Sequence, residues 1–130
     1  MHALRHITDP SSDKRSCVFS VGEWCYTQFL FNGPPDSSAL GDFPPLHGEA
    51  VSNEFLPDEM ALSKVQITRL LSMGWRPPGW EGHNYIGNFF RGWHEIGEES
   101  LVQIAREILR VFTDVYGVSA TEEVKVEFPG

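Results

Sequence analysis

The chain has 130 residues, 41% of them hydrophobic, which is enough for one ordinary domain and too few for two of usual size. Its formal charge of −8 excludes the basic stripe that displaces counterions from a phosphate backbone, so no nucleic-acid partner is expected. The 10 Lys and Arg are scattered, and no apolar run approaches the ~20 residues that cross a bilayer, so membrane insertion is not expected either. The start of the sequence lacks the apolar stretch of a secretory signal, and two cysteines do not make a disulfide scaffold, which together predict a cytoplasmic protein.

In chain order, residues 1–16 are polar and interrupted by Pro10, and predict a mobile lead-in with at most one helical turn. His2 and His6 stand one turn apart, but without a third ligand at compatible spacing they do not predict a metal site. The runs 17–21 and 24–31 are rich in β-branched and aromatic residues and flank Gly22-Glu23, predicting a hairpin with a two-residue loop. In that register Val21 faces Trp24, Ser20 faces Cys25 and Cys17 faces Gln28, so the cysteines do not pair. Four prolines and three glycines in 32–48 predict a long irregular loop, in which the proline pairs beside Phe43 and Leu46 offer a docking segment.

Residues 50–56 read as a short strand that Pro57 and Asp58-Glu59 stop. Ser63 and Gln66 then form a capping box, with Leu62 and Ile67 placed as a hydrophobic staple. The helix so started carries Ile67, Leu70 and Leu71 on one side. Gly74 ends it in a left-handed conformation, Trp75 covers Leu70, and Pro77 and Pro78 forbid continuation. A strand over 84–93, bent near Gly87, and a long helix over 97–116 with Leu101, Ile104, Ala105, Ile108, Phe112 and Val115 on one stripe come next. Gly117 closes that helix, and 121–128 alternates charged and apolar residues as an edge strand or a tail.

This order predicts a single α+β domain over 17–130, a two-layer sandwich of an antiparallel sheet of about four to five strands with two helices on one face. No catalytic motif stands in it. His83, His94 and Glu95, or Glu81, are the residues a small metal-dependent hydrolase would have to use, but their spacing matches no ligand or nucleophile pattern, so neither catalysis nor a cofactor is expected. The aromatic residues Trp24, Phe43, Phe89, Phe90 and Trp93 are the candidates for a partner-binding surface.

The segments E-A-V-S-N-x-x-L at 49–56, Leu62-Ser63, L-L-x-M-G-W-x-P-P at 70–78, Asn88-Phe89 and V-F-T-D-V-Y-G-V at 111–118 resemble the actinobacterial TY-Chap domains, which are similar to the YbjN and type III secretion chaperone superfamily. The resemblance implies a non-enzymatic α+β domain that binds a client or effector protein, with chaperones of this kind commonly forming homodimers around extended client segments. Their usual opening amphipathic helix is not evident in 1–16, and the 32–48 loop is long for the pattern. A small acidic domain of this kind would also serve as an immunity or antitoxin-type inhibitor of a basic toxin.

Overall fold

A computed structural model describes residues 2–9, 11–33, 44–82 and 86–129. Five antiparallel strands, Ser16–Val21 (β1), Cys25–Phe31 (β2), Leu46–Ala50 (β3), Phe89–Trp93 (β4) and Lys125–Glu127 (β5), form one sheet in the order β4-β3-β2-β1-β5. The twofold alternation of side chains along each strand fixes its faces. Val126, Phe19, Thr27, Ala50 and Phe89 make one continuous cross-strand row on the inner face, and Cys17, Phe29, Gly48 and Arg91 make the next.

Three helices complete the domain: His2–Thr8 (α1), Lys64–Ser72 (α2) and Glu98–Arg110 (α3). The last runs on into a π-helical segment, Val111–Val115. Leu101, Ile104, Ile108, Val111, Phe112 and Val115 are all buried, which is the stripe expected of an amphipathic helix on a sheet. The widened turn leaves carbonyls that α2 receives: Gln66 Nε2 donates to the Val115 oxygen at 2.6 Å and Arg69 Nη1 to the Asp114 oxygen at 3.1 Å. None of these helices is long and apolar enough to cross a membrane.

The capping box and the glycine stop of α2 form as read. Ser63 Oγ accepts from the Gln66 amide at 3.2 Å, and Gln66 Oε1 accepts from the Ser63 amide at 2.7 Å. Gly74 has φ +98°, and the amides of Gly74 and Trp75 donate to the oxygens of Leu71 and Leu70, closing the helix in a Schellman motif. Ser63→Ala is expected to cost about 1 kcal/mol, measured as a lower urea midpoint at unchanged slope. Leu71, placed on the core side by periodicity, is instead 38% exposed, because α2 meets the π-helical segment through its Gln66, Ile67 and Leu70 side.

Four expectations are corrected. Residues 2–8 are a helix packed on β1, β2 and α3, not a mobile lead-in, since Ala3, Leu4 and Ile7 are buried on its inner side. Seven residues are too few to hold a helix alone, so tertiary packing stabilises it, and the interleaved His2, Arg5 and His6 hid the stripe. The hairpin turns through three residues, 22–24, with Gly22 at φ +66°, which shifts the register by one: Cys25 faces Val21 and Cys17 faces Phe29. Both thiols stay free and buried, and burial raises Cys17 to about 12.

The third strand lies at 46–50, beginning within the stretch expected as loop and ending at Ala50, where the strand expected over 50–56 was to start. Its inward residues are Leu46, Gly48 and Ala50, which carry little strand propensity, because the rings of Phe29 and Trp93 fill the space above Gly48. A Cβ at Gly48 would come within 2.8 Å of both rings. Gly48→Val is accordingly expected to lower stability by about 1–3 kcal/mol in chemical denaturation. Beyond Ala50, side chains take over from the ladder: Asn53 Oδ1 accepts from the Leu62 amide at 2.7 Å and Asn88 Oδ1 from the Ser52 amide at 3.1 Å. The fourth strand is likewise shorter than 84–93, starting at Phe89.

Candidate functional site

The two edges of the sheet are treated differently. Along β4, Arg76 forms a bridge with Phe90, its amide donating to the Phe90 oxygen at 2.8 Å and its oxygen accepting from the Phe90 amide at 3.0 Å. Pro77 and Pro78 follow directly, so this edge is capped. Among the described residues, no strand or bridge pairs with the outer edge of β5.

Beside that free edge lies an open groove of about 670 Å³ between α1 and β5. Its floor is apolar: Ala3 from α1, Phe19 from β1, Val126 from β5 and Phe128 just beyond. Polar rim groups come from α1 and the turn after it, His2, Arg5, His6 and Asp9. Three of them, Arg5, His6 and Asp9, are held by side-chain or backbone contacts. Arg5 forms a two-pronged ion pair with Glu98 of α3. The His6 ring meets Phe128 edge-on at 4.9 Å and approaches Ser12 Oγ at 3.3 Å. The amide and hydroxyl of Ser11, at 2.9 and 2.8 Å, hold the exposed Asp9 carboxyl below its ordinary range. An apolar trough beside an edge that no described strand pairs suits an extended peptide, whose main chain can pair while alternate side chains enter the trough.

A second polar assembly sits on the outer face of the sheet. His47 Nε2 lies 3.1 Å from Glu49 Oε2, and Asn88 Nδ2 donates to Glu49 Oε1 at 3.3 Å and to Tyr26 Oη at 3.1 Å. Ser52 Oγ donates to the Gly87 oxygen at 2.6 Å. These bonds pin 86–88 to β2 and β3. The hydrogen bond from His47 lowers the Glu49 carboxyl, against the opposing effect of burial. Because its folded value lies below the ordinary 4.5, Glu49 contributes stability above that pH and loses it as the folded value is passed on acidification. Glu49→Gln is therefore expected to flatten the fall in the urea midpoint between about pH 5 and about pH 3.

The residues singled out by sequence are dispersed. Trp24 is 45% exposed at the tip of the β1–β2 hairpin. Phe89 is buried on the inner face, and Phe90 is buried on the other, stacked on His47 at 6.2 Å. Trp93 is half-buried against Phe29 and Trp75, with Arg91 over its ring at 4.9 Å. Phe89 and Phe90 are therefore part of the packed domain, and Trp93 is partly exposed beside them. Phe43 and His83 lie outside the described residues. His94, Glu95 and Glu81 are exposed, and among the described residues no three His, Cys, Asp or Glu side chains converge as a metal site. The groove was missed because half of it is α1; the alternation of Val124, Val126 and Phe128 was its one visible signal.

Residues 21–130 match the family model described as T3SS (YopN, CesT) and YbjN peptide-binding chaperone 3, TY-Chap3. The chain belongs to the TY-Chap3 family. No curated protein and no solved structure matches it. The span matched by TY-Chap3 takes in β2 to β5, α2 and α3, while α1 and all but the last residue of β1 precede it. The groove thus joins an edge from the shared TY-Chap3 span to a helix outside that span.

Proposed function

We propose that this chain is a non-enzymatic, chaperone-like protein that holds an extended segment of a client protein along the β5 side of its sheet. The observation that carries this reading is the apolar groove beside a sheet edge without a cap, on a chain of a peptide-binding chaperone family. Main-chain pairing at an edge is tolerant of sequence, and the pockets for alternate side chains supply selectivity. Apolar client residues two apart would enter the trough over Ala3 and Phe19, and the net charge of −8 favours segments with basic residues between them.

A fluorescence-anisotropy panel tests this. Peptides with apolar residues at every second position are expected to bind the full chain, and peptides of identical composition rearranged to helical spacing to bind at least about tenfold more weakly. Equal binding of both sets would contradict the proposal.

A further inference from the structure

Between β1 and the free outer edge lies β5, a short strand of the chain itself that occupies the edge of β1. β5 is three residues long, and Lys125, Val126 and Glu127 are all exposed. Residues 119–123, which lead to it, are exposed as well. Its inward side repeats an apolar residue at every second position: Val124 packs on the core, Val126 lies opposite Phe19, and Phe128 meets His6. Its outward charges, Lys125 and Glu127, are engaged mainly with each other at 2.8 Å in solvent, where an ion pair contributes little. A strand held this way belongs to the low end of local stability. Beneath it, Phe19 is 7% exposed, and β1 offers a full-length edge of six residues.

We propose that β5 is an internal stand-in for the client strand, and that a client segment binds by displacing β5 from β1. This rests on the peptide-binding reading above and names its mode: exchange in place of addition. The matching client carries three apolar residues at alternate positions, as β5 does. Tethering gives β5 an effective concentration on the order of millimolar, so only a segment that fits better than β5 replaces it. Charge supplies one such advantage. Glu122, Glu123 and Glu127 outnumber Lys125, so the segment that ends in β5 is itself acidic and part of the chain's −8, whereas a segment with outward basic residues is attracted to the acidic remainder.

The probe is a labelled peptide of the sequence 119–130, titrated into full-length protein and followed by anisotropy. Two variants frame the result. Val126→Ser with Phe128→Ser weakens β5 in place. Ser20→Cys with Lys125→Cys, at positions directly opposite in the β1–β5 register, locks it when oxidised. The expected results are at least tenfold tighter binding by the serine variant than by the unaltered chain, no binding by the oxidised lock, and recovery on reduction. A second peptide with lysine at the positions of Glu122, Glu123 and Glu127 is expected to bind more tightly still, with the difference shrinking at high salt. Equal binding by oxidised and reduced lock would overturn displacement while leaving peptide binding intact, because the segment would then add outside β5. Disulfide-linked dimers on oxidation would also overturn it, in favour of β5 exchange between two copies. If neither these peptides nor the alternating panel binds any natively folded form, both readings fall. Should the serine variant fail to fold, the lock decides alone.

Discussion

Phe89→Ala is expected to lower folding stability by about 3–5 kcal/mol, with the loss visible as a shift in the urea midpoint and early melting of the near-ultraviolet dichroism. The ring is 3% exposed and ends the inner row that runs from Val126 through Phe19, Thr27 and Ala50. Removing it leaves a void in a close-packed interior that relaxes only in part. Trp24→Ala is the matched control. At the hairpin tip it is expected to change stability by no more than about 0.5 kcal/mol. A folded Phe89→Ala protein of unchanged stability would place that ring on the surface and contradict the packing of β4.

Leu4→Ala carries the second large effect, about 2–5 kcal/mol, although it lies in a seven-residue helix near one end of the chain. Leu4 is fully buried, and α1 contacts β1, β2 and α3. Amide exchange over 2–8 in the unaltered protein is expected to be slowed well beyond that of a free peptide, and the substitution to abolish that protection. An effect within about 0.5 kcal/mol, with unprotected amides, would return 1–16 to the status of a mobile lead-in. It would also remove one wall of the groove.

How much of this was legible in the sequence follows from where the determinants lie. The α2 boundaries were readable because Ser63, Gln66, Gly74 and Trp75 act within a few residues of each other, so local chemistry decides the outcome. The burial stripe of α3 was readable for the same reason of length: thirteen residues of 3.6-fold periodicity leave little ambiguity. The third strand was not, because its inward Gly48 is specified by Phe29 and Trp93, remote in sequence, and not by its own propensity. The hairpin register missed by one residue because loop length is set by how β1 and β2 pair, and a one-residue change moves every facing pair.

For the site, the sequence offered aromatic residues, and the structure used most of them as core. A ring such as Phe89 or Phe90 has the same composition signal whether it faces a partner or the opposite layer, and only the sheet order separates the cases. The groove arises from three segments, 2–9, 16–21 and 125–128, that are distant along the chain and individually weak as signals. Its apolar floor shows only once α1 and β5 flank the same strand.

The most direct test of that groove is an amide chemical-shift titration of the full-length protein with an alternating apolar peptide. The largest shifts are expected at 2–9, 16–21 and 125–128, with the Arg76 and Phe90 amides at the capped edge unmoved. Shifts centred instead on the β4 edge or around Trp24, with α1 and β5 silent, would contradict the assignment of the α1–β5 groove as the client site.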